Sequence, residues 1–125
     1  MIGKLAIKAA SSETPVGTLS GGNQQKVAIA KWLLGAARVF LLYDPTRGID
    51  VATKQEIYAL MRSLADSGIG LLFFSTDLSE IVNMCDRALV MYEGQVVREL
   101  SGADLTETNL VSAALNLTAP AALVV

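Results

Sequence analysis

The sequence predicts an α/β protein built mainly on a parallel sheet with flanking helices, and three features carry that expectation. Two short, unbroken apolar runs, Val39-Phe40-Leu41-Leu42-Tyr43 and Gly70-Leu71-Leu72-Phe73-Phe74, have the β-rich character of strands buried on both faces. Between them Ile57, Leu60, Met61 and Leu64 recur at helical spacing, the apolar stripe of a packed helix. Each run ends in polar residues, Asp44-Pro45-Thr46 after the first and Ser75-Thr76-Asp77 after the second. Open parallel sheets bind ligands beyond the carboxyl ends of their strands, so these two loops are candidate site segments.

The remaining elements follow from caps, periodicity and breakers. Gly3 to Ala10 reads as the end of a helix, and Ser11 to Gly17, with Pro15 and Gly17, as a loop. Ser20 is an N-cap for a helix from Gly21 to about Ala37. Val27, Ile29, Ala30, Trp32, Leu33 and Leu34 lie on nearly all sides of that helix, so it is expected to be deeply packed. Asp50 caps a helix from Ala52 to Ser67, which Gly68 and Gly70 close before the strand from Leu71. A short helix spans Leu78 to Met84, then a strand Ala88 to Tyr92. Glu93-Gly94 is a tight-turn signal into Gln95 to Leu100, giving an antiparallel C-terminal hairpin. A last helix runs from Glu107 to about Leu115. Residues 1–118 are expected to form one domain, and 119–125 a tail that is either a docked strand or a frayed end.

The totals narrow the function. A chain of 125 residues fits one small domain, and 52% hydrophobic residues suit a buried core and not a disordered segment. No apolar run approaches the ~20 residues of a membrane span, and no signal-like segment follows Met1. Cys85 is the only cysteine, so an internal disulfide is impossible and a cysteine-based metal site is not expected. The formal charge is -2 with no basic run, which argues against nucleic acid as a partner. The sequence has no histidine, so acid–base chemistry falls to carboxylates, Lys or Tyr. Trp32, Met61, Met84, Met91 and Cys85 sit at core-like spacing. Lys26 and Lys31 are expected on the exposed side of their helix, and Arg47 either at an interface or as a solvated loop charge.

The stretch richest in chemistry is Leu19-Ser20-Gly21-Gly22-Asn23-Gln24-Gln25-Lys26. A hydroxyl and two glycines at a helix start leave backbone N–H groups open at the positive end of the dipole, where a phosphate can approach. An ordinary cap with two glycines from an awkward turn fits the tetrapeptide equally well. The neighbours favour the first reading. An apolar strand follows, then Asp44-Pro45-Thr46-Arg47-Gly48-Ile49-Asp50, then a second strand with a polar end. This succession resembles the ATP-binding cassette family. Leu19 to Lys26 is similar to its signature motif, Val39 to Asp44 to the Walker B strand, Gly48 to Asp50 to the D-loop, and Ser75 to Asp77 to the switch loop. The wording is most similar to the second cassette of monosaccharide-importer ATPases, and it covers about Thr14 to Leu100.

The resemblance implies a P-loop NTPase fold and a head-to-tail pair of cassettes with ATP and Mg²⁺ at each interface. Ser20, Gly21, Gly22 and Asn23 would then touch ATP held by a partner cassette, and Asp50 would act across the interface or simply cap its helix. Three departures stand out. No G-x-x-x-x-G-K-[ST] loop occurs, so the expectation is a C-terminal fragment or truncated product that does not hold ATP by itself. Aligned without gaps, Tyr43 replaces the Asp that supports Mg²⁺, and Asp44 replaces the catalytic Glu. The lost methylene is a displacement on the order of 1 Å, which can cost ~10²-fold for a general base. A one-residue shift would instead make Asp44 the metal ligand. Thr76, or its neighbour Asp77, stands where the family has its switch histidine, and can bond a γ-phosphate without shuttling a proton.

The elements that act in trans are therefore intact, while those that act in cis are weakened. The expected role is an ATP-binding subunit, or a piece of one, that couples ATP to monosaccharide uptake by a membrane permease. It would lie in the cytoplasm at the inner face of the cell membrane, without inserting. The competing class is an inactive cassette-derived binding or regulatory module. An ATPase acting on nucleic acid is disfavoured by the acidic balance. The strands ending at Phe74 and Tyr92 would flank an absent strand in this fold, so poor solubility of the chain alone is expected.

Overall fold

Val39–Tyr43 forms β1 and Gly70–Phe74 forms β2, and the two pair in parallel from Val39↔Gly70 to Tyr43↔Phe74. The computed structural model describes residues 5–35 and 37–117. They divide into two compact units, one ending at Ser75 and the other starting at Thr76. The first holds α1 (Gly21–Leu33), β1, α2 (Val51–Asp66) and β2, after a short 3-10 turn at Val16–Thr18. The second holds α3 (Leu78–Met84), β3 (Arg87–Tyr92), β4 (Gln95–Ser101), a 3-10 turn at Gly102–Asp104 and α4 (Glu107–Ala114). The expected tail, 119–125, lies outside the described residues.

Helix ends follow their caps. Ser20 and Asp50 accept from the backbone N–H three residues on, Asn23 and Thr53 respectively, so each satisfies an orphan donor of its first turn. Helix α1 stops at Leu33, short of Ala37, because the chain turns at Leu34 and Gly35, where the Gly35 N–H reaches back to the Trp32 carbonyl. Residues 5–10 are turn and extended chain, not a helix end, and Ala6 takes a left-handed φ of 48°. Their contribution is apolar packing: Leu5 and Ile7 are buried with Ala30, against Leu19, Val27, Leu33 and Leu60.

In the second unit β3 and β4 pair antiparallel around a Glu93-Gly94 turn. Both turn residues have positive φ, 47° and 79°, the type I′ geometry that matches strand twist and that glycine tolerates best. Ala88, Val90 and Leu100 from this hairpin pack with Leu105, Leu110 and Ala113, the last two from α4. Thr106 caps α4 by accepting from the Asn109 N–H at 3.2 Å. Arg87 and Glu99 pair across the strands at 2.9 Å.

Several burial expectations need correction. The strand–helix–strand–helix–strand order suggests one parallel sheet, yet among the described residues there are two two-stranded sheets, β1-β2 and β3-β4. The strands are also not buried on both faces. Phe40 is covered, while Val39, Leu41, Tyr43, Leu72 and Phe74 on alternate positions are exposed, Leu41 at 75% and Leu72 at 59%. Strand side chains alternate, so a single covering layer protects only every second residue. Helix α1 is likewise one-sided: Gly22, Lys26, Ile29 and Ala30 are buried, but Trp32 (63% exposed) and Leu34 are not. Met91 is exposed as well, whereas Met61 is buried as its spacing implies.

Lys26 departs furthest from expectation. It is 3% exposed, donates to the Ala6 carbonyl at 3.1 Å, and pairs with Glu56 of α2. Its butyl stem packs while its ammonium ties three segments, the 5–10 loop, α1 and α2. Lys31 does lie outside, its ammonium 5.7 Å from the Trp32 ring centre.

Two predictions follow from these arrangements. The bare β1-β2 face makes the isolated chain bind an apolar dye and self-associate. Replacing Leu41 and Leu72, register neighbours on that face, with Thr reduces both and changes unfolding free energy by no more than about 0.5 kcal/mol each. Ile57→Ala, at a fully buried position, costs about 2–5 kcal/mol on the same assay.

The second concerns acid. The Lys26 hydrogen bond and then its charge hold the Glu56 carboxyl below its ordinary range, and the Thr53 side-chain and backbone bonds do the same for Asp50. Carboxyls with lowered folded values stabilise the fold above their unfolded range, and that stabilisation is lost as pH falls through the lowered values. Thermal melting should therefore weaken steadily below about pH 5, and Glu56→Gln with Asp50→Asn should flatten that slope. Glu56→Gln should lower the melting temperature at pH 7 more than Lys26→Met, because it leaves a buried ammonium without its carboxylate.

Candidate functional site

The start of α1 is built as an N–H-rich edge. Ser20 Oγ accepts from the Asn23 backbone N–H at 3.4 Å and from the Asn23 side-chain amide at 2.9 Å. Asn23 Oδ1 in turn accepts from the Lys8 N–H at 2.9 Å, which staples the 5–10 loop to the helix start. Gln24 Nε2 closes the other side by donating to the Leu19 carbonyl at 2.8 Å. The N–H groups of Gly21 and Gly22 belong to the first turn and have no carbonyl four residues back within the helix. Together with the α1 dipole they make this helix start an edge suited to an anion. Ser20 and Gly21 are exposed, Asn23 half-buried and Gly22 buried.

Asp50 lies next to this edge through Thr53. Thr53 donates its N–H to Asp50 Oδ1 at 2.9 Å and its hydroxyl to Asp50 Oδ2 at 2.7 Å, so both carboxylate oxygens are engaged. Gly22 in turn packs against Thr53. The sequence-predicted residues Ser20, Gly21, Gly22, Asn23 and Asp50 are therefore gathered in one place, and Thr53 is the link that sequence reasoning missed. Its position three residues after a capping Asp marks it as a first-turn residue, but nothing local signals its contact with another helix.

Asp44 sits at the end of β1, buried, with a left-handed φ of 48°. Asp adopts that backbone more readily than most residues, Glu included. Its N–H continues the parallel ladder to the Phe74 carbonyl at 2.8 Å, and its carbonyl accepts from the Arg47 N–H at 3.1 Å, closing the turn. The Asp44 carboxylate lies 4.0 Å from the Arg47 guanidinium, which is itself well exposed. Tyr43 contributes no charge there: its ring lies on the exposed sheet face, stacked on Phe74 at 4.9 Å and 14°. No group of three or more potential ligating side chains occurs among the described residues. Among the described residues, the Asp44 carboxylate beside a guanidinium is a poor donor set for a resident Mg²⁺ held by this chain.

Ser75 is buried and closes the first unit; Thr76 is exposed and opens the second. Asp77 is committed as the cap of α3, with Oδ1 accepting from the Ser79 N–H at 3.1 Å and hydroxyl at 2.6 Å. Thr76, between Ser75 and Asp77, is exposed and carries the remaining hydroxyl of this stretch. No described helix is long and apolar enough to cross a membrane.

No protein-family model matches the chain. Among curated proteins it is 63% identical over 113 residues to a ribose import ATP-binding protein of Rhizobium etli, covering 90% of this chain and 22% of that protein. It is 60% identical over 117 residues to the ribose import ATP-binding protein of Mesorhizobium japonicum, covering 94% and 23%. The chain thus spans under a quarter of the length of these relatives. Among solved structures it superposes on the ATP-binding cassette MJ1267 with a TM-score of 0.73 at 23% identity, covering 84% of this chain and 42% of that one. It also matches the dimeric ATP-binding cassette MJ0796 bound to ADP and Pi, with a TM-score of 0.68 at 25% identity, covering 80% and 43%. The chain therefore has the fold of solved ATP-binding cassettes and is similar, over nine-tenths of its own length, to a stretch of the ribose import ATP-binding proteins.

Proposed function

We propose that this chain supplies the signature edge of a composite ATP site in a monosaccharide importer, closing over nucleotide bound by a second cassette. The observation that carries this is the helix start at Ser20–Asn23, where the Ser20 and Asn23 side chains are engaged in local caps and the N–H groups of Gly21 and Gly22 lie in the first turn without a helical acceptor. A phosphate is the ligand that such an edge takes. The relatives' names, import ATP-binding proteins, support an importer over an inert cassette-derived module.

Within that reading, Ser20, Gly21, Gly22 and Asn23 meet the γ-phosphate and ribose of ATP in trans, and Asp50 lines the interface beside them. Thr76 offers a hydroxyl to a phosphate oxygen. Asp44 is the single carboxylate that can serve as base or face the Mg²⁺ that ATP carries, and Tyr43 cannot add the second charge. Trans functions are therefore better equipped than cis functions, and the chain alone is not expected to hydrolyse ATP. Its partners are a second cassette and the permease subunits, which would hold it at the inner face of the membrane.

Calorimetry with MgATP tests the core of this proposal. The chain alone should give no binding heat, and adding it to an intact partner cassette should tighten that cassette's ATP affinity. Ser20→Arg, which places a long side chain across the edge, should abolish the gain. Binding by the chain alone, or a gain that survives Ser20→Arg, would overturn the reading.

A further inference from the structure

We infer that Thr53 is a positioning residue that fixes the signature helix start against α2, so that Gly22 is required by this chain's own packing and not only by nucleotide approach. The inference rests on the ATP-edge reading for its functional consequence, but its steric basis is independent of it. A Cβ placed on Gly22 would lie 2.9 Å from both Thr53 Cβ and Thr53 Oγ1, and nearer still to the Thr53 methyl. Contacts that short do not occur between real side chains, so helix α1 or Thr53 would have to move. The neighbouring glycine behaves differently. The nearest atom to a Cβ on Gly21 is Ile49 Cγ2 at 3.8 Å, ordinary van der Waals contact.

Thr53 has little freedom to withdraw. Its hydroxyl is held by Asp50 Oδ2 at 2.7 Å while its backbone N–H is held by Oδ1 at 2.9 Å. Rotating the side chain to clear space for a methyl on Gly22 would break the hydroxyl bond. As a β-branched residue in a helical first turn, Thr53 also has few alternative rotamers. The three residues therefore form a stack: the Asp50 carboxylate fixes Thr53, and Thr53 fixes the backbone of Gly22. Gly22 carries one of the first-turn N–H groups that the ATP-edge reading directs at phosphate, so a displacement of the stack would re-aim that donor. Asp50 thereby reaches the signature edge from within its own chain.

A double-mutant cycle read by thermal unfolding of the chain, and by MgATP calorimetry with an intact partner cassette, tests this. Gly22→Ala should lower the melting temperature and weaken the affinity gain about tenfold, the scale of an overpacked contact. Adding Thr53→Ala, which deletes the methyl (the nearest atom) and the hydroxyl but keeps Cβ, should restore a measurable part of both losses. Gly21→Ala should show no coupling to Thr53→Ala in unfolding. Should Gly22→Ala fail to fold, Thr53→Ala must recover a folded chain. Absence of recovery, or equal recovery for Gly21→Ala, overturns the inference. If Ser20→Arg leaves the affinity gain intact, the ATP-edge reading fails by itself, and recovery of the melting temperature then still decides the packing claim.

Discussion

Lys26 carries its ammonium into the space between α1, α2 and the loop at 5–10, where the Ala6 carbonyl and the Glu56 carboxylate receive it. Burying a lysine is costly unless its charge is paired and its donors are met, so this contact constrains all three segments at once. It sets the approach of the two helices midway along α1, and the Gly22–Thr53 contact sets it at the helix start. Leu5, Ile7 and Ala30 fill the apolar space around it. The candidate nucleotide edge is presented by this frame. Its geometry comes from helix packing below it, with caps only finishing the surface.

The site is divided in chemical capability. At the start of α1, every side chain that could compete for the first-turn donors is occupied: Ser20 with Asn23, Asn23 with Lys8, Gln24 with Leu19. Such preorganisation suits a surface that closes on a ligand bound elsewhere, since little must reorder when contact is made. At the end of β1 the picture reverses. Asp44 has a left-handed backbone, Arg47 sits beside it, and Tyr43 stacks on Phe74.

The exposed face of β1 and β2 is a further constraint on how this chain exists. Five apolar side chains on alternate positions of two paired strands are too concentrated to be incidental surface. A face of this kind favours contact with another apolar surface over water. The hairpin unit contrasts with it, since α4 covers one face of β3 and β4 and Leu100 is left 1% exposed.

Local signals determined the elements and the motif order. Strand β1, helix α3 and the Glu93-Gly94 turn lie where apolar runs, caps and turn chemistry put them, because those forces act within a few residues. Ser20, Asp50, Asp77 and Thr106 cap as their types require. Burial was less legible: Trp32 and Met91 have core-like spacing but lie exposed, while Lys26 looks like a surface residue but lies inside. Periodicity says which residues share a face; it does not say whether a second layer arrives to cover that face. Only the tertiary structure decided that β3 pairs with β4 alone among the described strands, that Glu56 waits beside Lys26, and that Thr53 leaves no room for a side chain on Gly22. The last two join residues about thirty positions apart in different helices, and such contacts depend on how the elements pack, which no local pattern encodes.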